Sequence, residues 1–165
     1  FNKSLVFVLS LLLFAGLNLT AQDFEYIGAA KCKMCHNKPA TGGQYKIWAA
    51  GPHANAMKSL SSEQAMAIAK EKGIADPTTL GSIDENLNID VKITEGVSCE
   101  SCHGPGSKYK TNSIMKDQAK SIANGLIVPD QKLCEGCHNA ESPTFKSFNY
   151  DEAVKTIAHP VPAAE

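Results

Sequence analysis

One short pattern occurs three times in this chain of 165 residues and uses all six of its cysteines. Each copy has two cysteines separated by two residues and followed directly by a histidine. The copies are Cys32, Cys35 and His36; Cys99, Cys102 and His103; and Cys134, Cys137 and His138. Cys-x-x-Cys-His is the attachment signature of c-type haem, in which two thiols bond to one porphyrin edge and the histidine binds iron. The pattern predicts three covalent haem c groups.

Two other uses of paired cysteines remain open on spacing alone. The second and third pairs have a spacing that a zinc ribbon tolerates. Six cysteines in a short exported chain could also form disulfides. Zinc would leave the first pair unexplained, and neither alternative accounts for a histidine after every pair. Haem is therefore the favoured interpretation.

The N-terminal segment has the pattern of an export signal. Lys3 precedes an apolar run at 5–17, and small and polar residues follow it. This predicts a cleavable signal peptide at 1–21 and one trihaem cytochrome domain at 22–165. An uncleaved anchor is the alternative, although the run is short for a membrane span. We expect a periplasmic protein without a stable membrane span after cleavage, because c-type haem is attached outside the bacterial inner membrane.

The charge and the aromatic content limit the classes of partner. The formal net charge is −1, and all 16 basic residues are lysines without a basic cluster. This argues against nucleic-acid binding, which needs a concentrated positive surface. Aromatic residues make up only 7% of the chain, so we expect the porphyrins to supply apolar mass that the chain lacks. Redox proteins are the expected partners, and the sequence leaves the oligomeric state open.

The hydrophobic pattern predicts a mainly α, irregular multihaem fold with long connections and little sheet. Helices are predicted at 44–50, 62–72, 113–124 and 151–158, with a short helix opened by Pro129 that carries the third motif. A weak alternation of apolar residues at 87–93 predicts a short strand or hairpin arm.

Two histidines lie outside the three motifs. They are His53, which lies among small residues, and His159, which lies at the end of a predicted helix. Three irons need ligands on their distal faces, and only these two histidines remain for them. Both are therefore predicted to be distal iron ligands.

Two blocks of the sequence resemble the cytochrome c-554 family, tetrahaem electron carriers of ammonia-oxidising bacteria that accept electrons from hydroxylamine oxidoreductase. The first block is 31–36 with Trp48 and 53–60, and the second is 96–106, which is similar to the family's third haem motif. The resemblance covers most of the mature chain. It implies that His53 serves the haem held by His103, and that His159 serves the last haem.

The sequence departs from that family in two places. The family's second haem motif should fall between residues 73 and 95, where this chain has no cysteine. The distal histidine of the family's first haem, expected shortly after Gly106, is also missing. Because the absent haem is the five-coordinate one in the family, its loss argues against an enzymatic activity.

The sequence therefore favours an electron carrier and not an enzyme. The alternative is a haem-dependent reductase of a small nitrogen or oxygen species, using an open position on the first haem. The chain has no arginine and no spare histidine to donate a proton there. Met115 lies near the place where the family has its missing histidine, so we predict that it binds the first iron. The alternative is that Met115 is an ordinary packing residue.

Overall fold

A computed structural model describes residues 24–79 and 95–160. The predicted signal peptide and the apolar alternation at 87–93 lie outside these described residues. No helix in the described ranges combines the length and the apolar character needed to cross a membrane.

The described residues form short helices joined by loops and contain no β-strand, which confirms the predicted mainly α class. The helices are short, from four to nine residues. They are α1 Ala29–His36, α2 Gln44–Ala50, α3 Ala56–Leu60, α4 Glu63–Glu71, α5 Cys99–His103, α6 Asn112–Met115, α7 Gln118–Ala123, α8 Gln131–Glu135 and α9 Tyr150–Ile157. Short 3₁₀ turns at Pro39–Thr41, His53–Asn55 and Pro77–Thr79 connect them.

The helix predicted at 113–124 is two helices, so that prediction was wrong. Asp117 has an extended backbone between α6 and α7, and its side chain accepts the N–H of Lys120. The Ser121 hydroxyl then donates to the carbonyl of Ile114 over 2.9 Å, which folds α7 back onto α6. A capping aspartate inside an apolar pattern therefore ends one helix and begins another.

The apolar core of the described part is very small. Its buried hydrophobic residues are Ala29, Ala69 and Tyr109, and the largest fully buried side chains are Glu100 and Ser121. Burial of apolar surface is the dominant favourable term in folding. Side-chain packing alone supplies little of that term here, which fits a chain folded around large apolar cofactors.

Carboxylates join the first motif to the second. A Glu95 oxygen accepts the N–H of Ala29 over 2.8 Å, at the start of α1. Glu100 is 1% exposed and accepts N–H groups from Ile27, Gly28 and Gly106. These bonds satisfy backbone donors at the N-terminus of α1 and fix it against α5.

The backbone of His53 is bound to the segment that leads into the second motif. The Val97 N–H donates to the His53 carbonyl over 2.9 Å, and the Trp48 indole N–H donates to the Val97 carbonyl over 2.8 Å. Gly96 has a φ of +69°, and a Cβ there would lie 2.5 Å from the His53 oxygen. Only glycine fits at this position.

Candidate haem sites

Helices present the cysteines of each motif. Helix α1 contains the whole first motif, and α5 consists of the second. In the third motif Cys134 lies in α8, and the N–H groups of Cys137 and His138 both donate to its carbonyl, which continues the helical turn. Residues three apart share a helix face, so both thiols of each motif can reach one porphyrin edge. All six cysteines are free thiols.

The second motif lies between the first and the third. The thiols of Cys32 and Cys99 are neighbours, and their interaction, followed by burial, raises the pKa of Cys32. The same interaction lowers the pKa of Cys99. Burial, and then the nearby Cys134 and Cys137, raise the pKa of Cys102. The cysteines of the second motif thus have neighbours from both of the other motifs.

Four of the five histidines face each other in two pairs. The ring centres of His53 and His138 are 6.0 Å apart, and those of His103 and His159 are 5.7 Å apart. A bond from a metal to an imidazole nitrogen is about 2 Å long, so two imidazoles on opposite sides of one metal have ring centres roughly 6 Å apart. Each pair therefore has a separation that fits two ligands of one iron.

This pairing is the reverse of the one that the resemblance implied. The ring of His159 faces the second motif. The next residue, Pro160, is bound beside the first motif, because its carbonyl accepts the side-chain N–H of Gln44 over 2.9 Å. His53 faces the third motif, where Phe148 also stacks on the ring of His138, with centres 4.8 Å apart.

Two motif histidines have a hydrogen bond that sets which ring nitrogen is free. His103 Nδ1 lies 3.3 Å from the Ile127 carbonyl, and His36 Nδ1 lies 3.2 Å from Gln44 Oε1. A carbonyl oxygen only accepts, so Nδ1 carries the hydrogen and Nε2 keeps its lone pair for a metal. Ligand histidines in metalloproteins are oriented in this way.

The electrostatic surroundings favour the neutral imidazole. Burial lowers the pKa of His53, and the neighbouring His138 lowers it further. Burial also lowers the pKa of His103 and of His159. Neutral imidazole is the form that binds metals. His159 Nδ1 is buried without a hydrogen-bond partner among the described residues, an exception to the usual satisfaction of buried polar atoms.

Met115 is the half-buried last residue of α6, and its role on the first iron stays a prediction. Sequence reasoning missed Gln44 and Glu100, both buried polar residues. The position of Glu100 between two motif cysteines was visible, but a glutamate there is ordinarily solvent-exposed. Ile127 acts through its backbone carbonyl, for which the sequence carries no signal.

The free motif thiols, the opposed imidazoles and the small apolar core all fit covalent haem. The family model for cytochrome c554 and c-prime matches residues 31–104. Cytochrome c-554 of Nitrosomonas europaea is 26% identical over an alignment of 182 residues, covering 83% of this chain and 75% of that protein. No solved structure gives a significant match. The motifs, their geometry and these similarities together support a relationship of the chain to the cytochrome c-554 family.

Proposed function

We propose that this protein is a periplasmic c-type cytochrome that carries electrons between redox proteins through three covalently attached haems. The observation that carries the proposal is the pair of opposed histidine sites, at 5.7 and 6.0 Å, each including one motif histidine. When bound, haem supplies an iron that takes up and releases one electron.

Each cysteine pair and each histidine has a proposed role in binding haem. The three cysteine pairs would hold the porphyrins, and His36, His103 and His138 would each bind one iron. His159 would be the second protein ligand of the second iron, and His53 would be that of the third. An iron with two protein ligands has no position for a substrate, so these two sites suit electron exchange and not catalysis.

The first site differs from the other two. Among the ring contacts of the described residues, none places a histidine opposite His36. We propose Met115 as its second ligand, since a thioether is an established haem ligand. If no side chain reached that iron, the site would be open, and the alternative function as a reductase would be the better one.

Reductive titration of the purified haem-loaded protein tests the proposal. We expect three electron equivalents per chain, oxidation by a second cytochrome, and no carbon monoxide adduct. Steady-state turnover of hydroxylamine, nitric oxide or peroxide would favour the reductase. A haem content below three per chain, measured on the same sample, would contradict the cofactor assignment itself.

A further inference from the structure

We propose that Gln44 is a positioning residue that sets the hydrogen-bonding state of His36 and ties the first haem site to the second. The proposal rests on the proposed function, because it concerns haems at both sites. The evidence for it is the set of contacts made by the side-chain amide of Gln44. This residue begins α2 and is only 9% exposed.

Three contacts fix the orientation of this amide. Gln44 Nε2 lies 2.6 Å from the carbonyl oxygen of Thr41 and 2.9 Å from that of Pro160. Carbonyl oxygens only accept hydrogen bonds, so the NH₂ group must point at them. The Oε1 atom is therefore the one that lies 3.2 Å from His36 Nδ1.

The orientation of the amide determines the tautomer of His36. Because Oε1 can only accept, His36 Nδ1 must carry the hydrogen, and the lone pair is on Nε2. A hydrogen bond from the far nitrogen raises the basicity of a histidine ligand. A more basic ligand favours the ferric state, so Gln44 lowers the reduction potential of the first haem.

The surrounding backbone leaves room for this amide. Gly42 has a φ of +97°, and a Cβ there would lie 2.6 Å from Gln44 Nε2 and 3.0 Å from the Pro160 oxygen. A side chain at position 42 would therefore push the Gln44 amide away from the Pro160 carbonyl. The glycine in the loop and the hydrogen bonds of the amide thus both support the position of the Gln44 side chain seen here.

The amide also reaches the second site. Pro160 is 116 residues from Gln44 in the chain and follows His159, whose ring faces His103. The bond to Pro160 therefore anchors the segment that presents His159. One side chain orients a ligand of the first haem and restrains a proposed ligand of the second.

Gln44→Leu tests both roles, with Gln118→Leu as the matched control. Gln118 is exposed and opens α7 as Gln44 opens α2. In Gln44→Leu we expect the ferrous-to-ferric ratio of the first haem at a fixed potential to rise at least threefold, about 28 mV for a one-electron couple. The second haem should gain high-spin character. Gln118→Leu should change neither property.

Gln44→Glu at pH 8 separates positioning from a merely structural role. A carboxylate still accepts from His36 but cannot donate to Pro160. The first-haem potential should therefore move below that of wild type, opposite to Gln44→Leu, while the second haem still gains high-spin character. If the first-haem potential shifted in the same direction in both variants, or failed to shift in either of them, the proposal would be overturned.

A measurement on the unaltered protein covers the case in which the variants do not fold. Nitrogen-15 NMR of the reduced protein should show His36 protonated at Nδ1, with slow exchange of that hydrogen. An unprotonated Nδ1 would refute the inference. A wild-type protein without haem at His36, by intact mass, would instead refute the proposed function.

Discussion

The backbone N–H of Gly28 donates to a carboxylate oxygen of Glu100 across 2.7 Å, although 72 residues separate the two in the chain. Glu100 lies between the two cysteines of the second motif, and Gly28 directly precedes α1. The same carboxylate also accepts from Ile27 and Gly106. A single buried acidic side chain therefore holds together the backbones that carry the first two motifs.

We expect Glu100→Gln to destabilise the haem-loaded protein by about 3 kcal/mol, because an amide NH₂ would face backbone donors that now have charged acceptors. Thermal unfolding followed at the haem absorption band measures this. The control is Glu152→Gln, which alters an exposed ion pair with Lys155 and should change little. Equal melting temperatures in the two variants would contradict the bridging role.

The histidine pairs predict which haem depends on which distal ligand. His53→Ala should convert one low-spin haem to high-spin, measured by paramagnetic resonance of the ferric protein. If His53 serves the iron held by His138, the effect must disappear in a background that lacks the third haem through Cys134→Ala and Cys137→Ala. Persistence of the new high-spin signal there would instead assign His53 to another haem.

Gly96 and Gly73 form a matched pair for testing the placement of His53. Both have a φ of +69°, but a Cβ at Gly73 meets no atom within 4 Å, whereas one at Gly96 meets the His53 oxygen at 2.5 Å. Gly73→Ala should cost about 1–2 kcal/mol of backbone strain. Gly96→Ala should cost roughly 2 kcal/mol more and raise the high-spin fraction of the third haem. A spin change in Gly73→Ala would show that general destabilisation is the cause.

The cofactor count is tested by intact mass. The haem-loaded chain should carry three haem masses above its polypeptide mass. Replacing both cysteines of one motif by alanine should remove one haem at a time from the chain. Bound zinc, or disulfides in place of thioethers, would contradict the assignment.

Met115→Ala tests the second ligand of the first haem. Methionine-ligated ferric haem has a near-infrared charge-transfer band, which we expect in the wild type and not in the variant. Met66 is an exposed methionine in α4, and Met66→Ala should keep the band. A wild-type protein without this band that binds carbon monoxide rapidly when reduced would have an open first iron.

The sequence predicted the local structure well where capping residues mark the ends of helices. Helix α2 occupies the predicted range 44–50, and α4 occupies Glu63–Glu71 within the predicted 62–72. The sequence predicts Ser61 as the cap of this helix, but the cap is one residue later: the Ser62 hydroxyl accepts the Ala65 N–H at the start of α4. Gly73 follows the helix with a positive φ, as a predicted stop. Such signals act within a few residues, so a single sequence contains them.

The contacts between distant segments could not be predicted from the sequence. His159 lies opposite His103, and His53 lies opposite His138. The Gln44–Pro160 bond likewise joins residues 116 positions apart in the chain. All of these are tertiary contacts, which depend on how distant segments pack and leave no local pattern in the sequence. For the same reason the sequence showed a glutamate at position 100 but not its burial.

Because the apolar core of the described residues is small, the stability of the folded protein should depend on its haems. A protein that binds a dissociable cofactor loses stability when the free cofactor is diluted, by mass action. Here the proposed haems are bonded to the cysteines of α1, α5 and the third motif, so an unfolded chain keeps them. Unfolding should then be independent of added haem and of protein concentration for a monomer. Refolding becomes a one-molecule process in which the chain collapses onto apolar groups that it already carries.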